Sequence, residues 1–523
     1  MSAVPACGGN DDTGGSITIS ESAQPDALDP ALANTLNAWE PMWLVYTPLL
    51  TYRRAEGPEG TELIPGLAEG LPAISADGKT YRLRLREGLR YSDGTPVKAS
   101  DFEHTVKRLL NLESAATGFF AGVQGASDYV TRGDPEGDIA GIETDDATRS
   151  IVIRLGAPDG TFSNVLATLY AGVVPGDTPF RNLTRTPPPG VGPLRIARSS
   201  GNRGLVLERV KDFELPGVPA ARVDKITLKI VAPPRAAQDV LRGELDYMQD
   251  PPPPDMLGDV RRQAEGYREH PTSGISYFFL NSRVPPFDKV DVRRAVSFGI
   301  SEDALARVFG GLLEPTCNFL PPDIPGYEKL DPCPYGAPGR NTDIARARRL
   351  VRRAGAAGAD VKVWGPQQDP GPQVMSYLAD VLDEIGLDPK VSLVDFAVYA
   401  QTVGHRRTHP QIGFMSWAGD FPHPYTFLRQ FDSRAITETN NFNVGEVRDP
   451  VIDHGLGRLG REPDVQAVKG EWAALDRRLI DRGYVAVYGN PVRTTFLSER
   501  MDSENCALFH PVYGNDYSSF CLK

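Results

Sequence analysis

Residues 341–394 read NTDIARARRLVRRAGAAGADVKVWGPQQDPGPQVMSYLADVLDEIGLDPKVSLV, and this stretch decides the class of fold. Residues 341–354 have the pattern of a capped helix, and Gly355 stops it because glycine takes the left-handed turn at a helix end without strain. Residues 361–364 then read as a strand. Residues 374–385 read as a second helix, ended by Gly386, and 391–394 as a second strand. Strand and helix alternating in this way predict an α/β layer built on a sheet. The rhythm continues outward. Upstream, residues 291–300 have helical spacing through Val292, Ala295, Val296 and Ile300; downstream, 412–417 read as a further strand.

The first half has a different texture. Ile17 and Ile19 alternate with polar residues as a first strand. Tyr81, Leu83 and Leu85 alternate with Arg82, Arg84 and Arg86, which marks a strand with one face buried. A turn follows at Ser92-Asp93-Gly94-Thr95-Pro96. Ser100 and Glu103 have the spacing of a capping box, ahead of an apolar helix face of Phe102, Val106, Leu109 and Leu110. Residues 151–155 and 205–207, together with Ile226, Leu228 and Ile230, add strands, and the proline runs at 187–189 and 251–254 mark loops. A chain of 523 residues is too long for one simple core. The expected organisation is therefore a β-rich first half, an α/β second half, and a tail from about residue 490 that rejoins the first.

Composition excludes several classes of function. The net charge is −12 with both signs mixed along the chain, which argues against nucleic acid as a partner, because phosphate contacts need a concentrated basic surface. No run approaches the about 18 apolar residues of a membrane-spanning helix. Of five cysteines, Cys317 and Cys333 lie sixteen apart and Cys506 and Cys521 fifteen apart in loop-like sequence. They read as two disulfides of an oxidising compartment, each adding about 3 kcal/mol in the chain-entropy description, with buried free thiols as the alternative. The fifth, Cys7, follows small residues and precedes a polar stretch, as at the end of a bacterial lipoprotein signal. A lipid on Cys7 would be the chain's one attachment to a membrane, and residues 1–15 would be a signal remnant or tether.

The sequence holds little that suggests catalysis. There is no glycine-rich phosphate loop after a strand and no Gly-x-Ser-x-Gly elbow. His405 and His409 have metal-ligand spacing for a helix, but Pro410 and Arg406-Arg407-Thr408 speak against a regular helix, so no metal site is expected. The most unusual run is Phe414-Met415-Ser416-Trp417-Ala418-Gly419-Asp420-Phe421-Pro422-His423-Pro424. Small residues there admit a ligand to the backbone, Trp417 offers apolar area, and Asp420 offers a charge to a cation. The competing reading is a core Trp followed by an Asp that caps a helix at 425–431.

Taken together, several segments resemble the bacterial extracellular solute-binding proteins of the oligopeptide, dipeptide and nickel class, family 5. They are Tyr46-Thr47-Pro48-Leu49-Leu50, the Leu63-Ile64-Pro65-Gly66-Leu67 run, residues 75–81 and 83–102, Gly190-Val191-Gly192-Pro193, Leu280-Asn281, Pro286-Phe287-Asp288, and 417–424. The resemblance implies an α/β clamshell of two lobes. Lobe I would comprise 16–272 plus 491–523 with an inserted subdomain at about 49–180; lobe II would comprise 273–490, with crossings near 277–282 and 485–492. It implies the solute-binding component of an ABC importer, a monomer without cofactor or catalytic residue, that captures peptides between its lobes and delivers them to a membrane permease. It implies that Asp420 takes the peptide's α-ammonium, that Met415, Ser416, Trp417 and Ala418 pair with its backbone, and that Leu36 and Asn37 face it, with Trp39 and Tyr488 on the walls. Some oligopeptide binders hold the ligand carboxylate with an Arg shortly before the Trp, and Phe414 stands there instead. The same role for a metal chelate, opine or oligosaccharide is the alternative, and a hydrolase using the cleft a further one.

Overall fold

The computed structural model describes residues 14–199, 204–339 and 342–523; Cys7 lies outside them. The chain divides into two units. One comprises the chain up to Ala157, Val165–His270 and Thr494–Lys523; the other comprises Pro158–Asn164 and Pro271–Arg493.

Unit 1 is built on strands β1 (Ser16–Glu21), β2 (Thr80–Arg84), β3 (Ile142–Asp145), β4 (Ser150–Arg154), β5 (Leu194–Ser199), β6 (Leu205–Arg209), β7 (Lys225–Ile230) and β8 (Tyr247–Met248). β1 is flanked in parallel by β7 and β8, and β7, β6 and β5 continue antiparallel. Ile17 and Ile19 enter the core as their alternation predicts, but Ser20 and Glu21 are buried as well. β2, β3 and β4 form a second, antiparallel sheet in which Tyr81 and Leu83 are buried and Arg82 and Arg84 exposed. Two helices matter below: α1 (Leu36–Met42) and α2 (Ser100–Asn111).

The capping box expected at α2 does not form. Ser100 lies inside the helix, where its N–H and hydroxyl both donate to Asp146. Glu103 accepts from the Ile139 N–H at 3.1 Å. Asp101 supplies the anion at this helix start instead. Its carboxylate accepts from the Lys98 and Gly176 N–H groups and the Tyr91 hydroxyl.

Unit 2 contains β9 (Gly274–Leu280), β10 (Asp360–Pro366), β11 (Asp388–Val394), β12 (Ile412–Ala418) and β13 (Val485–Leu497), which passes into unit 1 at Arg493/Thr494. The order is β11-β10-β12-β9-β13. β10 runs parallel to β11 and β12, and β9 antiparallel to β12 and β13. Helices α3 (Val290–Gly299), α4 (Ile344–Arg353), α5 (Gly371–Glu384), α6 (Phe396–Val403), α7 (Pro424–Leu428) and α8 (Lys469–Asp481) cover it. All seven residues of β9 are buried, because it lies between two strands and two cores. Phe278 and Leu280 point into the core with Val292, Leu350 and Leu378, while Ile275, Tyr277 and Phe279 point into the other with Phe319 and Trp472. The chain passes from unit 1 to unit 2 at 270/271, ahead of β9, and returns at 493/494, within β13.

The cysteines divide. Cys506 and Cys521 are disulfide-bonded. Cys317 and Cys333 are free thiols, contrary to the expected second disulfide. Their loop is already fixed by polar contacts. The buried Asp476 of α8 accepts from Asn318 Nδ2 and the Phe319 N–H, and Asn318 in turn binds the Glu328 carbonyl and the Leu330 N–H. The Cys317 thiol donates to the Leu330 carbonyl at 3.7 Å.

Candidate functional site

The Asp420 region lies wholly in unit 2 and starts from the hydrogen-bond parity of β12. Asn281 N–H donates to the Gln411 carbonyl at 2.8 Å. In an antiparallel ladder the directions alternate, so Met415 and Trp417 turn their N–H and C=O groups toward β9, in register with Tyr277 and Ile275. Ser416 and Ala418 turn theirs the other way. On that side β10 pairs only Ile412 and Gly413 and then diverges. The Phe414 carbonyl is taken by the Tyr399 hydroxyl at 2.8 Å. The backbone groups of Ser416 and Ala418 thus form an open strand edge, unpaired among the described residues, and both side chains are exposed. Of the four residues expected to pair with a peptide, these two present their backbone, while Met415 and Trp417 pack by side chain on the core beneath.

Trp417 is half-buried. Its indole N–H donates to the Thr426 carbonyl at 3.0 Å, and its ring lies edge-on to Phe442 at 6.3 Å. Phe442 is 61% exposed, a large aromatic left in solvent beside the open edge. Gly419 is small for a reason other than ligand access: a Cβ there would stand 2.6 Å from Phe427 and Thr426 of α7. The Asp that was the alternative cap of α7 does not cap it. His423 does, its Nδ1 accepting from the Tyr425 N–H at 3.1 Å, and burial pushes its imidazole down to about 3.

Asp420 is half-buried, and its carboxylate meets the Arg429 guanidinium at 3.1 Å. Desolvation raises its pKa above the ordinary value, against the opposing pull of Arg429. Arg429 and Phe442 were not picked out in the sequence. One is an arginine just past a short helix and the other an isolated Phe in a polar loop, and neither pattern carries a signal before the fold is known. Tyr488 is not a wall residue here. It is fully buried, with its ring 4.7 Å from Phe278.

In unit 1, Leu36 is exposed and Asn37 half-buried at the start of α1. Asp26 accepts from the Asn34 and Thr35 N–H groups and the Thr35 hydroxyl, and Asn37 donates to the Ala23 carbonyl at 3.2 Å, which fixes this corner. Trp39 is half-buried, donates to the Ala33 carbonyl and lies edge-on to Tyr170 at 5.8 Å. Just before the corner, Asp29 is locked to Arg108 by two hydrogen bonds of 2.8 and 3.1 Å.

His405 and His409 flank a single 3₁₀ turn, Arg406–Thr408. Among the described residues one group has ligand-like spacing, Asp502, Cys506 and Cys521, and its sulfurs are in the disulfide. No helix among the described residues is long and apolar enough to cross a membrane.

Comparison with known proteins adds the family context. Residues 62–438 match the family description "Bacterial extracellular solute-binding proteins, family 5 Middle". The chain is 25% identical over 445 residues to the di/tripeptide-binding protein 1 of Pseudomonas aeruginosa, covering 80% of this chain and 79% of that one. It is 24% identical to the periplasmic murein peptide-binding protein MppA of Escherichia coli, covering 88% and 85%. Among solved structures, the clavulanic acid biosynthesis oligopeptide binding protein 2 superposes with a TM-score of 0.87 at 25% identity, over 98% of this chain and 96% of that one.

Proposed function

This chain belongs to the bacterial extracellular solute-binding proteins of family 5, with the two-lobed α/β fold of that family, and from that premise we propose that it captures peptides outside the cytoplasm for an ABC importer. The family is one of binding proteins, which accords with a site that holds an aspartate beside a bare strand edge. The carrying observation is the open edge at Ser416 and Ala418 ending at Asp420. An extended peptide adds to such an edge as one more strand, its main chain pairing with the outward N–H and C=O groups. Its α-ammonium then meets the Asp420 carboxylate in place of, or beside, Arg429. Trp417 and Phe442 offer aromatic area to the first side chains. Leu36, Asn37 and Trp39 are the proposed second contribution, from unit 1.

The rest of the proposal follows from the family role. The closed, loaded form docks on a membrane permease, and the ligand must bind that form better than the open one to shift the equilibrium. The chain acts as a monomer held to the membrane by a lipid on Cys7.

The test is a thermal-shift screen against mixed peptides, amino acids, sugars and nickel. A ligand at 100 times its Kd adds about 2.7 kcal/mol to native stability. We expect a shift with peptides that weakens when their N-terminus is acetylated and collapses in Asp420→Ala. The loss corresponds to about 2–5 kcal/mol of affinity, the cost of removing one partner of a desolvated ion pair. Peptide binding that is indifferent to both changes removes the ammonium role, and a response to sugar or nickel alone removes the peptide reading.

A further inference from the structure

On the peptide reading of the open edge, the register of the ligand is set at both ends. An α-ammonium at Asp420, just past the C-terminal end of β12, makes the peptide run antiparallel to that strand. At the other end the Tyr399 hydroxyl holds the Phe414 carbonyl at 2.8 Å, so the ladder does not slide that way. Between these limits Ser416 and Ala418 turn outward backbone groups that are unpaired among the described residues. The first residue of the peptide then lies opposite Ala418, the second opposite Trp417 and the third opposite Ser416.

These three positions meet different surroundings. The first and third residues exchange hydrogen bonds with Ala418 and Ser416, and their side chains share a face with those two small, exposed side chains. The second residue forms a non-hydrogen-bonded pair with Trp417, the closer kind, with Cα atoms about 4.5 Å apart. Directly opposite residues share a face of the sheet, so the second side chain comes down beside the indole and beside Phe442, whose ring lies edge-on to it at 6.3 Å.

A single exposed apolar side chain is ordinary on a protein surface, but Phe442 is neither isolated nor loose. Its neighbours Asn441 and Asn443 are both buried. The Asn441 N–H donates to the Gly404 carbonyl at 2.9 Å, and Asn443 Nδ2 donates to the Asp432 and Val447 carbonyls at 3.1 and 2.9 Å. The backbone is thereby fixed on either side of the ring that it holds out in solvent. Trp417 is anchored as well, through its indole N–H on the Thr426 carbonyl. Two rings thus stand in place where the second side chain falls, which lowers the cost of ordering them on binding. A third ring fits such a pair, since aromatic side chains favour edge-to-face contacts with centroids about 4.5–7 Å apart. We propose that the site reads the second residue of its peptide, selecting an aromatic side chain there through Trp417 and Phe442, with Phe442 as the specificity-determining residue. The first and third side chains are left unselected by unit 2.

The experiment is titration calorimetry of the whole protein at pH 7 with Ala-Ala-Ala, Phe-Ala-Ala, Ala-Phe-Ala and Ala-Ala-Phe. Ala-Phe-Ala should bind at least about tenfold tighter than each of the other three. The ratio of Ala-Phe-Ala to Ala-Ala-Ala affinity should shrink at least about threefold in Phe442→Ala and return in Phe442→Tyr. Unliganded thermal unfolding of both variants separates a lost contact from a damaged fold, and equal midpoints are expected. A ring favoured equally at all three positions, favoured at the first or third, or favoured at the second to the same degree in Phe442→Ala would each overturn the inference. Where Ala-Ala-Ala still binds and loses affinity in Asp420→Ala, those outcomes leave the peptide reading standing. Failure of all four peptides to bind would remove that reading and the inference with it.

Discussion

Two Asp–Arg pairs in this protein use the same chemistry for opposite ends. Asp29 and Arg108 in unit 1 are 0% and 1% exposed, and four of the five guanidinium N–H groups have acceptors. The guanidinium takes both carboxylate oxygens and also donates to the Pro179 and Arg181 carbonyls, while Asp29 accepts from the Ala31 and Leu183 N–H groups. Asp420 and Arg429 in unit 2 are 32% and 42% exposed and share one contact of 3.1 Å. The first pair is a bolt that holds the segment before α1 against α2. The second is open to water, and in the proposed reading it is the charge offered to an incoming cation. A charged pair thus serves structure or recognition according to how completely its other partners are supplied.

The largest expected effect tests the bolt. Arg108→Met leaves a buried carboxylate with only backbone donors, and we expect a loss of about 3–5 kcal/mol in denaturant unfolding. A loss below about 1 kcal/mol would erase the distinction between the two pairs. Next come the cysteines, where a bonded and an unbonded pair can be compared in the same way. Cys506→Ser opens a fifteen-residue loop and should cost about 3 kcal/mol. Cys317→Ser should cost clearly less, because Asp476 and Asn318 already hold that loop. Thiol titration of the denatured, unreduced protein should find Cys317 and Cys333 reactive; their silence would restore the second disulfide.

What was legible in the sequence was whatever is local. The α5 region was read correctly because apolar periodicity and a terminal glycine act within one element: Gly386 adopts φ 98°, as a helix stop requires. Its start at Gly371 was missed, because Pro372 is tolerated in a first helical turn and gave no apolar signal. Ser100 misled because a capping box fails when other acceptors compete, and Asp146, which takes both the Ser100 N–H and its hydroxyl, lies outside the four-residue pattern. Residues 158–164 join unit 2 through the Gly160 N–H on the Gly460 carbonyl, three hundred residues away, where a Cβ would stand 2.1 Å from the Glu462 carbonyl oxygen. No window of sequence contains that contact. Asp420 was picked out, but its counter-ion, the outward direction of Ser416 and Ala418, and the burial of Tyr488 are set by which strands are neighbours.

The remaining predictions sharpen the role of the exposed pair. Desolvation holds Asp420 above its ordinary pKa. Its own contribution to folding is therefore greatest below the unfolded value and is lost as pH rises through the folded one. Ligand binding has the opposite sign, because a peptide ammonium needs the carboxylate. Peptide affinity should fall by up to about tenfold per pH unit once the pH drops below the pKa of Asp420. That slope should vanish in Asp420→Asn, and a slope unchanged in the variant would assign it to another group.

The smallest effect discriminates most finely. An exposed ion pair contributes about 0–1 kcal/mol, so Arg429→Ala should barely move the unfolding midpoint, in contrast to Arg108→Met. In binding, Arg429 acts in two directions. It keeps Asp420 ionised, and it also repels the ammonium that Asp420 attracts. At pH 7 the first effect is spent if the carboxyl is already ionised, and repulsion is what remains. Removing the guanidinium should then tighten binding of peptides with a free N-terminus by a few-fold, with no gain for acetylated ones. A loss of affinity instead would mean that Arg429 touches the ligand itself, through a carbonyl or carboxylate, and that the pair reads both charges of the peptide rather than one.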